Sequence, residues 1–208
     1  SYMVQGVRSA RGHGSKLALF QPMFAVEFEG LESSRMQMHR FREVRSGIVL
    51  QSLPFDVRKS TIALFMAEVL YRLGKEDEPN QRLFDFVWGS VAALDALDEG
   101  VANFHLWFLT NLSRFLGFSP GNAYLPGAWF DIREGSFTPL RPPHGEVLSA
   151  DDARILHDLL ECDVRYIAEI GLNRRQRVAY LDALLVYYGY HLDAIHAVQS
   201  VRILQEVF

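Results

Sequence analysis

The period of apolar and polar positions changes once along the chain, after Ser52. Before it the alternation is two-fold. Phe24, Val26 and Phe28 fall on one face, and Ala25, Glu27 and Glu29 on the other. That predicts a half-buried strand over 24–29. Residues 36–45 alternate in the same way, with Met36, Met38 and Arg40 opposing Gln37, His39 and Phe41. Residues 2–7 alternate loosely and read as a further strand. The stretches between, 9–16 (SARGHGSK) and 30–34, are small, polar and glycine-bearing, and read as loops. A small antiparallel sheet of three strands is expected over 1–46. Three strands are near the minimum for a sheet that stands alone, so this one needs further strands or support from the rest of the chain.

After Ser52 the period is helical. Ile62, Phe65, Met66, Val69, Leu70 and Leu73 make one apolar face, and Gly74 ends it. A charged loop comes next (KEDEP, 75–79). Asn80 is placed to cap a helix over 81–97 with Leu83, Phe86, Val87, Val91 and Leu94 inward. The most apolar helix is 101–116, with Phe104, Trp107, Phe108, Leu112 and Phe115. Helices apolar on most faces sit at the centre of bundles. Residues 119–148 hold five of the eight prolines and form a long connection. It carries a short hairpin at 129–137 that turns at Glu134-Gly135. Ser149 and Asp152 form a capping box for a helix to about 160. A short helical piece covers 164–170. Asn173 caps a last long helix through 187–190, and 200–207 form a terminal helix.

The composition, 49% apolar and 22% charged over 208 residues, is that of a folded chain. No apolar run reaches the ~20 residues that cross a bilayer, because Glu68, Arg72 and His105 interrupt the candidates. Residues 1–9 are mixed, contain Arg8 and do not read as a secretory signal. One cysteine, Cys162, excludes an intrachain disulfide framework and a four-cysteine zinc site. A reducing, cytoplasmic setting is expected, with no membrane partner. Charge is divided unevenly. Residues 1–60 carry nine Lys/Arg against five Asp/Glu, a net of +4, and the remaining 148 carry 12 against 20, a net of −8. Opposite-sign halves suggest two domains, 1–52 and 53–208, with different partners.

Catalytic patterns are missing from the sequence. Gly12 and Gly14 lack the helix, lysine and hydroxyl of a phosphate loop. His191 and His196 diverge by about 140° on a helix and make a poor metal pair. The neighbours of Cys162, Glu161 and Asp163, would raise its thiol pKa and blunt it as a nucleophile. Asp95, Asp98 and Glu99 read as solvated surface at a helix end. His105 reads as a half-buried, hydrogen-bonded core residue, and Tyr187, Tyr188 and Tyr190 as core or interface. No set of residues assembles an acid, a base and an orienter, so neither an enzyme nor a cofactor is expected. Arg174, Arg175 and Arg177 start a helix, where positive charge opposes the helix dipole. That placement points to an anionic partner.

Several stretches, taken in order, resemble the bacterial recombination mediator family RecO, most closely in its Bacteroides-group form. Residues 53–70 (LPFDVRKSTIALFMAEVL) resemble the helix after the family's N-terminal barrel. Residues 100–106 (GVANFHL) with 112–118 (LSRFLGF) resemble its next helical signature, and 130–137 (FDIREGSF) its middle hairpin. Residues 187–192 (YYGYHL) with 200–208 (SVRILQEVF) resemble its end, and 4–11 (VQGVRSAR) its third barrel strand and basic loop. The resemblance implies an α+β chain, an OB-fold barrel followed by a helical domain, with two further barrel strands expected upstream of residue 1. It implies binding of single- and double-stranded DNA, annealing of complementary strands and partnership with RecR. It also implies docking of the tail of single-strand binding protein, so that RecA is loaded, in a nucleoid-associated setting. Some relatives carry a four-cysteine zinc module in the middle region. Residues 119–148 have no cysteine, so no metal is expected there.

On that reading Arg8, Arg11 and Lys16, with Arg40, Arg42 and Arg45, are expected to line one side of the sheet and its loop and to neutralise phosphates. Tyr2 and Phe41 could stack bases. The tail of single-strand binding protein is acidic and apolar by family resemblance, and needs an apolar pocket rimmed by cations. Arg114, or Arg174 and Arg175 with Arg177, are the expected rim. The competing reading is a helical protein-interaction adaptor that does not touch DNA.

Overall fold

The computed structural model describes residues 2–3, 16–31, 39–73, 80–121, 123–192, 195 and 198–208, and for 2–3, 16–17, 31 and 39–42 the backbone alone. The chain divides into two compact units, Ser1–Gln51 and Ser52–Phe208. It is a mixed α/β protein of helices and small sheets.

In the first unit, strand β1 is Tyr2–Met3, β2 is Val26–Leu31 and β3 is His39–Ser46. The order is β1-β3-β2. β2 and β3 pair antiparallel, as their alternation predicts, but β1 runs parallel to β3, against the expected all-antiparallel arrangement. Strand direction is set by the connecting chain, and period two carries no information about it. A 3-10 helix, Lys16–Phe20, precedes β2. The register slips once: Glu29 faces Glu43, Gly30 faces Phe41, and Arg42 is passed over. An extra residue on one strand is a bulge, which bends the strand and re-aims the side chains beyond it. Among the described residues the sheet does not close on itself.

Among the described residues the second unit is built on six α-helices. Helix α1 is Val57–Arg72, α2 Gln81–Ala96, α3 Phe104–Phe115, α4 Ala150–Glu161, α5 Arg174–Gly189 and α6 Ser200–Val207. α1 begins five residues before its apolar face. The Asp56 carboxylate accepts from Arg58 N–H at 2.8 Å and starts the helix there. Asn80 accepts from Leu83 N–H at 3.0 Å, and Asn173 forms a reciprocal capping box with Gln176. Each such cap contributes about 1 kcal/mol. At α4, Ser149 Oγ accepts from Asp152 N–H at 3.3 Å but gives its own proton to the Asp152 carboxylate, so the box is only half of the expected one.

α3 is the centre. Phe104, Leu106, Phe108, Leu109 and Leu112 are fully buried, against Ile62, Phe65, Met66 and Val69 of α1 and Leu156 and Leu159 of α4 in the same core. Phe86 of α2 stacks on Phe115 with centroids 4.5 Å apart. Truncating one such ring costs about 3–5 kcal/mol. Two tyrosines of α5 pin the helix by their hydroxyls: Tyr180 bonds Thr110 at 2.9 Å, and Tyr188 donates to the Leu109 carbonyl at 2.6 Å. Tyr187 is buried as well, whereas Tyr190 is half exposed. His105 is more buried than expected, and its Nδ1 has no hydrogen-bond partner among the described residues.

The connection between α3 and α4 folds into a second sheet, β4 (Trp129–Asp131), β5 (Ser136–Thr138) and β6 (Val147–Leu148), in the order β5-β4-β6. Asp131 organises it. One carboxylate oxygen accepts from Arg133 and Glu134 N–H at 2.9 and 3.1 Å, which shapes the turn, and the other meets His144 Nε2 at 3.1 Å. Arg133 pairs with Glu146 across the same region. Gly135 takes φ +62° in that turn, a conformation glycine adopts without cost.

Asp95 corrects a sequence expectation. It is not solvated surface: its carboxylate accepts from Ser52 and Leu53 N–H at 2.9 and 2.7 Å. The buried Lys59 ammonium donates to Ser52 Oγ at 2.6 Å and to the Asp95 carbonyl at 2.8 Å. This network ties the start of the helical unit to the end of α2, and a buried ammonium needs such satisfaction.

Candidate functional site

Of the six cations expected to face DNA, Arg8 and Arg11 lie outside the described residues, and Lys16 opens the 3-10 helix. Arg40 and Arg42 lie in β3, Arg40 opposite Leu31 and Arg42 at the bulge. Arg45 has a described side chain, and it is paired: its guanidinium lies 2.7 Å from Glu27, both well exposed. Glu29 and Glu43, opposite one another in register, share the face of Glu27 and Arg45. Among the described side chains that face holds three carboxylates and one guanidinium. Exposed pairs contribute about 0–1 kcal/mol, so Glu27 gives up Arg45 easily, but its neighbours repel a polyanion.

Three of the four arginines expected to rim a tail pocket reach backbone carbonyls at or beside helix ends. Arg114 donates to the Leu160 carbonyl at 2.6 Å and lies 3.9 Å from Glu161, at the end of α4. Arg174 donates to the Gln205 carbonyl in α6. Arg177 reaches the Leu172 carbonyl at 2.5 Å and the Phe208 carbonyl oxygen at 3.2 Å. Burial, and after it the charge of Arg174, lowers the Arg177 pKa below its usual value. Cations at helix C-termini satisfy orphan carbonyls and oppose the negative dipole end. The placement of Arg174 and Arg177 at the start of α5 is thereby accounted for by these carbonyls. Arg175 alone of this set is exposed with no hydrogen bond or ion pair among the described residues.

A groove of about 900 Å³ between α1 and α6 has the expected character with different residues. Leu64 and Tyr71 of α1 and Ile203 of α6 are exposed at 38%, 81% and 42%, and Arg72 and Arg202 stand beside them. The carboxylate in it, Glu68, accepts from Gln199 and Ser200 N–H at 2.9 and 2.8 Å. Burial pushes its pKa up, but the donors of Ser200 and Gln199 and the Arg72 charge outweigh that and hold it below the usual range. Glu68 is thus an N-terminal cap for α6 supplied by another helix. The signal was in the sequence: Leu64 and Tyr71, seven apart, lie off the inward face of α1 and have nothing else to bury them.

Among the described residues no helix is long and apolar enough to cross a membrane. None of their His, Cys, Asp and Glu side chains group in threes that could hold a metal ion. Cys162 is a half-buried thiol whose pKa is raised by burial first and then by Asp163, Glu169 and Asp158.

The geometry is that of a mixed α/β protein whose helical unit offers an arginine-flanked apolar groove. The family model described as recombination protein O C terminal matches residues 54–197. A DNA repair protein RecO of Bacteroides fragilis is 36% identical over 210 residues, which span this whole chain and 86% of that protein. RecO proteins of Phocaeicola vulgatus and Porphyromonas gingivalis are 34% and 29% identical, again over the whole of this chain and 86% of theirs. The chain belongs to the RecO family of DNA repair and recombination proteins.

Proposed function

We propose that this chain is a recombination mediator working by binding alone. Its N-terminal unit, residues 1–52, holds single- and double-stranded DNA and brings complementary strands together. Its helical unit, 53–208, recruits RecR and the acidic tail of single-strand binding protein so that RecA can load in the nucleoid. β2 and β3 are read as two strands of an OB-fold barrel. The observation that carries the recruiting role is the α1/α6 groove, apolar along Leu64, Tyr71 and Ile203 and flanked by Arg72 and Arg202. An acidic, apolar tail would set its side chains against the first three and its carboxylates against the arginines. Calorimetry with a tail peptide tests this. Tyr71→Ala and Arg202→Ala weaken binding about tenfold each, a loss of ~1.4 kcal/mol, and Arg114→Ala leaves it unchanged. The reverse pattern overturns the placement.

For DNA, the cations left after Arg45 is paired are those of the basic loop and of β3, Arg8, Arg11, Lys16, Arg40 and Arg42. Anisotropy of a labelled oligonucleotide against salt measures their number, at a slope of ~0.7 per phosphate contact on single strands. Arg40→Ala with Arg42→Ala lowers that slope by ~1.4. The carboxylates around Arg45 favour the second reading, an adaptor without direct DNA binding. Affinity that does not change with salt overturns the phosphate contacts, and no binding even at low salt establishes the adaptor.

A further inference from the structure

A second groove, of about 980 Å³, runs between α4, the 3-10 helix Val164–Glu169 and the start of α5. Its apolar part is made by Ile155, Ile170 and Leu172 with Tyr166, a residue 55% exposed. Asp151, Asp158 and Glu169 stand around it with no hydrogen bond or ion pair to their side chains among the described residues. Two further carboxylates line it. Asp163 is held by Arg165 at 2.6 Å, a bond that lowers its pKa to about 2, and Glu161 is 3.9 Å from Arg114. Arg154 is the lining cation. Apolar contact surface and uncompensated negative charge thus occur together in one groove.

We propose that this groove docks a cationic, apolar segment of a protein partner. The argument is charge complementarity. Three unpaired carboxylates beside an apolar strip repel nucleic acid and acidic peptides, and attract lysine or arginine with long-range steering. Tyr166, Ile170 and Leu172 supply the burial that turns steering into residence, because aromatic and aliphatic anchors carry most interface energy. Lysine and arginine stems can lie along the same apolar strip while their heads reach the rim.

The probe is a fluorescein-labelled peptide of about twelve residues, alternating lysine and leucine, titrated into the full chain by anisotropy, with a glutamate–leucine peptide as its counterpart. Asp158→Lys with Glu169→Lys weakens binding of the cationic peptide at least about tenfold. Asp85→Lys with Asp98→Lys, exposed acids outside the groove, alters net charge equally and changes affinity less than about twofold. The single cysteine gives an independent readout, because Cys162 lines the groove. Saturating peptide slows its alkylation, and Tyr166→Ala lowers both affinity and protection. The proposal is overturned if the two double variants weaken binding equally, if bound peptide leaves Cys162 alkylation unchanged, or if the acidic peptide binds as well as the basic one.

Discussion

His105 sits in the helical core with 2% of its surface exposed, edge-on to Phe65 at 6.3 Å and stacked on Phe208 at 5.8 Å. Burial, and after it the nearby Arg177 charge, lowers its pKa from 6.5 to about 3. The imidazole is therefore neutral when folded and takes up a proton on unfolding in mild acid. Because the folded value is the depressed one, the unfolded chain binds more protons between the two values. Stability is full above 6.5 and is lost as the pH falls toward 3. At ~1.4 kcal/mol per pH unit, this one group removes about 2 kcal/mol by pH ~5 and about 4 kcal/mol by pH ~3. Urea unfolding of the full chain between about pH 7.5 and 5 measures it. His105→Phe keeps a planar ring between Phe65 and Phe208 and removes the proton site. Its stability should be flatter over that window by about 2 kcal/mol. Asp56, Asp131 and Asp163, all held below the usual carboxylate range, lose their contributions only in stronger acid and leave the window clear. Parallel curves for the two proteins would refute the neutral, buried imidazole.

Gly100 has φ +71°, and a Cβ there would meet Ala168 N at 2.7 Å and Ile167 Cγ2 at 2.8 Å, so Gly100→Ala should cost more than ~2 kcal/mol in urea unfolding. A near-neutral variant would contradict the close approach of Gly100 to the 3-10 helix. Asp95→Ala leaves Ser52 N–H and Leu53 N–H without their acceptor and should cost about 2–3 kcal/mol, whereas exposed Asp98→Ala should stay within ~0.5 kcal/mol. Equal losses would return Asp95 to the surface. Glu68→Gln weakens the cap on α6 and should cost about 1 kcal/mol, read as faster amide exchange at Gln199 and Ser200 with α4 unchanged.

Helix positions were legible because their causes are local. Asn80, Asn173 and Ser149 announce helix starts within three residues, and the inward faces of α1, α2 and α3 come from spacing alone. The features that escaped were non-local. Val147 and Leu148 form β6 only because β4 lies beside them, and two residues have no period to read. The first turn of α1 escaped because it carries no apolar face and its buried member is a lysine, Lys59. The arginines escaped for another reason. Arg114 and Arg174 spend their charge on carbonyls 46 and 31 residues away. Counting cations along the chain cannot tell an arginine that closes a helix from one that waits for a ligand. Asp95 reverses the error, an acid that looked free and is bound across 43 residues.

The same distinction decides what the net charge of the helical unit means. Residues 52–208 carry 14 Lys/Arg against 21 Asp/Glu, which averaged over the surface would exclude every acidic partner. The average fails because neutralisation is local. In the α1/α6 groove Glu68 is taken up by two backbone N–H groups and lies 3.7 Å from Arg72, so Arg202 leaves the sign positive. Beside α4, Arg165 is spent on Asp163 and Arg114 on the Leu160 carbonyl, so Asp151, Asp158 and Glu169 set it. Salt at ~0.1 M screens exposed charges beyond about 10 Å, which lets two such fields coexist on one small unit. An acidic and a basic peptide should therefore bind together, each with affinity unchanged by saturation with the other and each weakened by salt. Mutual exclusion in a competition titration would show a single site recognising apolar side chains, with charge incidental, and both groove assignments would fall at once.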